Sequence, residues 1–178
     1  MAIHTIVTDL QYPIGRFSFD EPIDMSPIAR AARIDAIARL PERFRGGFEG
    51  VTTQDLGRRY RPGGWTLLQL AHHVPDSHLN GFVRFKLALT EEVPTIRPFD
   101  ENAWSILGDV PSTPIEVSFD LLDALHARWV VLLRSMSPRE FTRTYVHPAH
   151  TRFITLDVAL ALYAWHGEHH LAHVRLAR

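Results

Sequence analysis

The sequence predicts an all-α fold, a four-helix bundle formed by a single domain that spans residues 1–178. Four long stretches repeat apolar residues at the helical period, and each begins at a recognisable capping sequence. The connections between them are long, which favours structured crossovers over plain loops. Histidines are concentrated on two of the four stretches, as in bundles that hold a metal ion between facing helices.

The first helix is predicted to start at Ser26–Pro27, an N-cap followed by proline at the first helical position, and to run to Gly46–Gly47. Pro41 predicts a kink in it. The second helix is predicted from the N-cap Thr66 to near Thr90. The apolar side of the first helix is predicted to comprise Ile28, Ala31, Ile34, Ile37 and Leu40.

A structured crossover is predicted over residues 91–112, where Asp100 caps a short helix through Trp104. Thr113-Pro114-Ile115-Glu116 resembles a capping box with proline at the first helical position, and it predicts a third helix through Met136. We expect the third helix to bury Phe119, Leu122, Trp129 and Leu133.

The C-terminal region is predicted to contain a small hairpin followed by the last helix. Residues Thr142 to Thr155 alternate in a strand-like way on both sides of His147-Pro148-Ala149-His150. Thr155 then caps a helix that runs to the C-terminus. His147 and His150 have no ligand spacing, so this segment is predicted to be a turn rather than a second metal site.

Composition excludes several classes of function. The formal net charge is −1 and the basic residues are dispersed, which does not favour a nucleic-acid partner. No apolar run reaches the roughly 18 residues needed to span a membrane, and Met1 to Gly15 has no signal-peptide pattern, so a cytoplasmic location is expected. Cysteine is absent, so a metal site must rely on histidine, carboxylates or water.

The segment from Trp165 to His173 contains four histidines. His166, His170 and His173 fall at i, i+4 and i+7, so their rings project from one stripe of the helix. The same stripe continues through Ala159, Leu162 and Tyr163, a face that should be buried. A divalent ion would satisfy several buried imidazoles at once.

A further ligand is expected from the second helix, which carries His72, His73 and His78. Leu70 and Val74 lie at i−3 and i+1 from His73, and these apolar neighbours indicate that His73 points into the bundle. His72 remains an alternative, because adjacent residues differ by only 100° around the helix. Among these histidines, His78 and His173 are the candidates for a fourth ligand that would close the coordination sphere.

The motifs together resemble the DinB/YfiT-like superfamily. The segment from Trp65 to His73 and the terminal His166-Gly167-Glu168-His169-His170 match its metal-binding helices. Five further motifs are similar to the YfiT branch, described as metal-dependent hydrolases and bacillithiol S-transferases: Tyr12-Pro13-Ile14-Gly15, Asp76-Ser77-His78, Arg84-Phe85-Lys86-Leu87, Ile96-Arg97-Pro98 and Tyr163-Ala164-Trp165-His166. The similarity extends from Leu10 to Val174.

This resemblance implies an up-down-down-up bundle, a homodimer, and one Zn²⁺ or Ni²⁺ ion held by His73, His166 and His170. It favours His73 over His72. Pro75, two residues beyond His73, predicts a kink in the second helix close to this ligand. The resemblance also favours a small thiol such as bacillithiol as cosubstrate.

Three histidines with an open position are typical of catalytic metal sites. Water at that position would give a hydrolase, and a thiol would give an S-transferase acting on small electrophiles. Asp76 and Asn80, at i+3 and i+7 from His73, are predicted catalytic residues, and Arg84 and Arg97 are predicted to bind a carboxylate of the thiol. A noncatalytic metal-binding bundle is the alternative class.

Overall fold

The computed structural model describes residues 9–149 and 152–178. In chain order, the helices are α1 (Pro27–Gly47), α2 (Leu67–Thr90), α3 (Glu101–Trp104), α4 (Ile115–Ser135), α5 (Pro138–Phe141) and α6 (Leu156–Ala177), with a 3₁₀ turn at Asp55–Gly57. Two strands, β1 (Thr144–His147) and β2 (Arg152–Thr155), form an antiparallel hairpin. The predicted helical bundle with a structured crossover and a small hairpin is confirmed.

Side-chain caps start the helices where the sequence predicts them. The hydroxyl oxygens of Ser26 and Thr155 accept backbone N–H bonds at the starts of α1 and α6. Thr66 and Gln69 form a reciprocal capping box at the start of α2, and Asp100 caps α3. Helix α2 continues through Pro75, so the chain is not interrupted beside His73.

The start of α4 differs from the prediction. Pro114 is the N-cap rather than the first helical residue, because its ψ of 140° is extended, and no side-chain capping bond forms. The helix therefore begins one residue later, and it ends at Ser135 rather than Met136. Its predicted buried side is correct: Phe119, Leu122, Trp129 and Leu133 are all buried.

The predicted apolar side of α1 is wrong over its first two turns. Ile28 is 84% exposed and Ala31 is also exposed, whereas burial begins at Ile34. The first turns of α1 are instead anchored by a polar contact, a bidentate ion pair between Arg30 and Asp157 at the start of α6. The apolar repeat alone does not indicate how far along α1 the neighbouring helices extend.

Contacts between the helices show the up-down-down-up topology. Arg30 pairs with Asp157 and Arg43 pairs with Glu168, so α1 and α6 run parallel. Hydrogen bonds from His72 to Ser118 and from His78 to His126 show that α2 and α4 also run parallel. In contrast, α2 contacts α6 through His73–His166 and Arg84–Tyr163, an antiparallel pairing. The crossover that contains α3 makes the parallel α2–α4 pair possible.

The bundle contains two apolar clusters. The phenylalanine cluster is built around Phe44, Phe48 and Phe119, which are in ring contact. The tryptophan cluster surrounds Trp129 and is covered on one side by the hairpin. The crossover is tied to this hairpin, because Ile96 N–H donates to the Val146 carbonyl. None of the helices in the described part of the chain has an apolar stretch of membrane-spanning length.

Candidate metal centre

Three histidines from α2 and α6 converge between the two apolar clusters. One ring nitrogen from each of His73, His166 and His170 lies within 4.8 Å of the others. The Nε2 atoms of His73 and His166 are 3.3 Å apart. The i, i+4 spacing on α6 supplies two of the three rings, and the antiparallel contact with α2 supplies the third.

The donor set fits a metal ion. Two nitrogen ligands of a tetrahedral ion, each at about 2.0–2.1 Å from it, are separated by about 3.3–3.4 Å. The distance of 3.3 Å between Nε2 of His73 and Nε2 of His166 matches this value. His73 and His170 are buried and His166 is half-buried, so few waters can compete for their lone pairs. Nitrogen-only donors of this kind suit zinc and nickel better than magnesium or calcium.

Burial keeps these imidazoles in the neutral form that metal binding requires. Loss of hydration lowers the pKa of His73 to about 3, with a further contribution from nearby His169 and His173. The same cause holds the pKa of His166 and His170 well below the ordinary value. At neutral pH all three rings therefore offer lone pairs.

The two candidates for a fourth ligand lie behind the converging rings. His78 is fully buried, and its Nε2 is 3.1 Å from Nδ1 of His166. His173 is also buried, and its Nδ1 is 3.3 Å from Nδ1 of His170. Each therefore contacts the Nδ1 atom of a predicted ligand on α6. We use the name histidine layer for seven rings: His73, His78, His126, His166, His169, His170 and His173.

Two of the three converging rings form part of the wall of a cavity of about 470 Å³, within the size range of small-molecule sites. His73 and His166 line it directly, beside the indole of Trp65, whose ring centre is 4.3 Å from that of His73. Trp165, which adjoins His166 in the sequence, does not line this cavity, and its ring centre lies 4.5 Å from that of His169 in a stacked arrangement. The apolar part of the remaining lining comes from the segment before α1, the crossover, the hairpin and α6: Phe19, Pro98, Phe99, Tyr145, Ala149, Ile154 and Leu162.

Asp76 and Asn80 do not line this cavity. The side-chain amide of Asn80 donates to the carbonyl oxygen of Asp76, a local contact within α2. Asp76 lies towards Asp109, and burial together with that like charge raises the pKa of Asp76 to about 6. Ser77, at i+4 from His73, occupies the cavity wall instead. The predicted catalytic role of Asp76 and Asn80 therefore has no geometric support.

The two predicted carboxylate-binding arginines are in different environments. Arg84 lines the cavity, where its guanidinium donates to the hydroxyl of Tyr163 at 3.0 Å. Arg97 is exposed and does not line the cavity. Only Arg84 is therefore placed to meet a ligand beside the histidines.

Three side chains near the site were not singled out by sequence pattern. His126, on α4, hydrogen-bonds His78 at 2.9 Å although its spacing gave no ligand signal. Tyr145 lines the cavity, and its buried hydroxyl has no hydrogen-bond partner in the described part of the protein. His147, assigned to a turn, ends β1 at the cavity wall, whereas His150 lies outside the described residues. None of these could be found without the register of the neighbouring elements.

Comparisons with known proteins agree with this geometry. The model of the DinB superfamily matches residues 36–174. A Bacillus pumilus protein named "Putative metal-dependent hydrolase" is 44% identical over 94% of both chains. The Bacillus subtilis protein "Putative metal-dependent hydrolase YfiT" is 43% identical over 93% of this chain and 92% of that protein.

The solved structure of Bacillus subtilis YfiT superposes with a TM-score of 0.89, at 43% identity over 94% of this chain and 95% of that chain. That protein is described as a "probable metal-dependent hydrolase with an unusual four-helix bundle topology". The parallel α1–α6 and α2–α4 pairs found here are one such arrangement. The chain therefore belongs to the DinB superfamily, in its YfiT-like branch.

Proposed function

We propose that this protein is a metal-dependent S-transferase that joins a small thiol, of the bacillithiol type, to small electrophiles. His73, His166 and His170 would hold one Zn²⁺ or Ni²⁺ ion. The observation that carries the proposal is the convergence of three neutral imidazoles, two of which line a cavity large enough for a small molecule. Among the described residues, no fourth histidine or carboxylate joins this group, which leaves a position for a small molecule.

When bound, such an ion acts as a Lewis acid that lowers the pKa of a water or thiol beside it and supplies a nucleophile at neutral pH. The chain itself contributes the rest. His73, His166 and His170 would hold the ion, and the aromatic rings of Trp65 and Phe99 in the cavity wall would pack against the electrophile. Arg84 is the only cation lining the cavity in the described part of the chain, so it is suited to bind a carboxylate of the thiol.

Two considerations favour thiol transfer over hydrolysis. The first consideration is the similarity of this chain to thiol-using proteins of the superfamily. The other is the cavity wall, on which Glu101, an exposed residue, is the only carboxylate among the described residues. Attack by a thiolate needs no carboxylate general base, because the nucleophile is already deprotonated.

Hydrolysis is the second candidate. The relatives from Bacillus pumilus and Bacillus subtilis carry hydrolase names, and the same three histidines would serve that reaction. A noncatalytic metal-binding role is the third. We also propose a homodimer, as the family resemblance implies, which size-exclusion chromatography with light scattering would test.

The test is metal content by mass spectrometry on untagged protein, followed by a thiol-consumption assay with bacillithiol and the electrophile monochlorobimane. We expect about one ion per chain in the wild type and almost none in His73→Ala or His166→Ala, with thiol consumption lost in parallel. His72→Ala is the matched control, because His72 is a buried histidine of α2 that contacts Ser118 rather than the cluster.

Each contrary result has a definite meaning. Metal without thiol consumption, but with hydrolysis of an ester or amide panel, would replace the transferase with the hydrolase. Metal without either activity would favour the noncatalytic role. Wild-type protein without metal, or His72→Ala protein that loses it, would contradict the proposed site.

A further inference from the structure

The histidines behind the metal site form two hydrogen-bonded relays that end on backbone carbonyls. In the first relay, His126 Nδ1 is 2.7 Å from the carbonyl oxygen of Ile37, and its Nε2 is 2.9 Å from Nδ1 of His78. His78 Nε2 is in turn 3.1 Å from Nδ1 of His166. A carbonyl group of α1 and three imidazole rings, one each from α4, α2 and α6, are thus linked in series.

A carbonyl oxygen can only accept, and this fixes the direction of every bond in the relay. His126 must donate from Nδ1 to Ile37, so its neutral ring accepts at Nε2. His78 then donates from Nδ1 to His126 and accepts at Nε2 from the Nδ1–H of His166. The lone pair of His166 is thereby assigned to Nε2, the atom that faces His73.

Pro41 explains why the carbonyl of Ile37 is available. In an α-helix the carbonyl of residue 37 would accept from the N–H of residue 41, and proline has no N–H. The vacated acceptor lies inside the bundle, where Ile37 is 1% exposed, and the imidazole of His126 occupies it. The proline in α1 is therefore connected through two histidines to a predicted metal ligand on α6.

The second relay is shorter, and it fixes the tautomer of His170 in the same way. His173 Nε2 is 3.2 Å from the carbonyl oxygen of Gln11, so it donates there and its Nδ1 accepts. His170 Nδ1, 3.3 Å away, is then the donor, which leaves the lone pair of His170 on Nε2. Both predicted ligands on α6 therefore carry the same tautomer, with Nε2 free.

We propose that His78, His126 and His173 are positioning residues that lock His166 and His170 in the Nδ1–H tautomer and so preorganise two metal ligands before the ion binds. Most metal-bound histidines receive this help from a carboxylate, a carbonyl or water. Here neutral imidazoles carry it from the carbonyls of Ile37 and Gln11 without adding a negative charge to the site.

The proposal competes with a second metal site at the same place. One ring nitrogen from each of His169, His170 and His173 also lies within 4.8 Å of the others. The His170 atom that contacts His173 is Nδ1, and an ion bound through it would need a lone pair there, whereas that atom carries a proton whenever His170 Nε2 is the ligand of the first ion. The relay pairs His170 with His173 without requiring a bridging imidazolate.

The first test uses the metal-free wild type and does not depend on the proposed function. Long-range ¹H–¹⁵N NMR spectra distinguish the two imidazole tautomers. We expect His166 and His170 to be Nδ1–H, and His126 to be Nδ1–H. An Nε2–H tautomer at His166 would overturn the first relay, and one at His170 would overturn the second, even if the protein bound no metal at all.

The second test is metal affinity, measured by competition with a chelator, for His78→Phe and His78→Gln. Loss of an outer partner of a metal ligand typically costs about 10- to 100-fold in affinity, which we expect for His78→Phe. Glutamine offers one donor and one acceptor, so it can keep the polarity of the relay and should recover much of the affinity.

Control measurements separate positioning from folding. His72→Phe alters a buried histidine of α2 outside the relay and should leave the affinity unchanged. Circular dichroism at the titration temperature verifies that each variant is folded. Equal affinities in wild type and His78→Phe, or equal losses in the Phe and Gln variants, would contradict the first relay. Two ions per wild-type chain would contradict the second.

Discussion

The phenylalanine cluster and the histidine layer are both buried by the same four helices, but they are stabilised by different forces. Phe44, Phe48 and Phe119 contact one another through nondirectional apolar surface. In the hydrogen-bonded relays of the histidine layer each contact joins a particular donor to a particular acceptor, and a broken link leaves a buried nitrogen without a partner. The phenylalanine cluster therefore stabilises the fold, whereas the histidine layer orients its imidazole rings at a cost in stability.

The largest expected difference between the two regions is their response to acid. Burial lowers the pKa of His73 to about 3 and that of His126 to about 4, from 6.5 in the unfolded chain. Below pH 6.5 the unfolded state binds more protons than the folded state, so stability is fully present above this pH and is lost as the pH falls towards 4. For each such ring, the free energy of unfolding falls by about 1.4 kcal/mol per pH unit in that window.

Urea unfolding of metal-free protein, followed by circular dichroism at several pH values, measures this effect. We expect the midpoint to fall steeply as the pH decreases through that window. His126→Phe should flatten the profile, because it removes one of the responsible rings. A midpoint that stays constant from neutral pH to about pH 5 would show that the layer does not resist protonation.

The next effect is specific to the apolar region. Phe44 has no exposed surface, and Phe44→Ala should lower the free energy of unfolding by about 3–5 kcal/mol through lost burial and a residual cavity. Chelator competition on the folded fraction should give an unchanged metal affinity, since Phe44 contacts no member of the histidine layer in these ring pairs. A large loss of metal affinity would mean that the two regions are not separable.

The smallest effect concerns the boundary between the histidine layer and the tryptophan cluster. A Cβ at Gly81 would lie 2.5 Å from Tyr163 and 2.8 Å from Trp129, two rigid buried rings that both contact His78. Gly81→Ala should therefore destabilise the protein by about 1–2 kcal/mol, because overpacking exceeds the gain in helix propensity.

Gly46→Ala is the matched variant, because nothing lies within 4 Å of its Cβ position in α1. It should leave stability unchanged or raise it by up to about 1 kcal/mol. Thermal unfolding of the two variants side by side provides the measurement. Equal melting temperatures would show that the close approach of α2 to Tyr163 is not needed.

Much of the fold could be predicted from the sequence because local rules govern it. The caps at Ser26, Thr66, Asp100 and Thr155 satisfy backbone groups within three residues, so they were recognisable without coordinates. One failure was local in origin and the other came from packing between helices. Pro114 adopts an extended conformation outside α4, and the apolar repeat of α1 continued past the point where other helices cover it.

The candidate site was predictable only in part. The spacing of His166 and His170 places both rings on one helical stripe, and the family motifs singled out His73. Asp76 and Asn80 were chosen by spacing as well, but the structure puts Ser77 rather than either of them on the cavity wall. Spacing gives the angle around a helix to within one residue at best, and that uncertainty separates a lining side chain from one outside the cavity.

The sequence by itself determined that this chain forms long capped helices, that it has no thiol chemistry of its own, and that imidazoles line one stripe of its last helix. Pro41 likewise fixed in advance that one carbonyl of α1 would lack its helical partner. Only the tertiary structure decided that His126 would fill that acceptor and that His78 would pass the constraint on to His166. A hydrogen bond between helices depends on their register and crossing, and these are set by packing over the whole bundle rather than by any one segment.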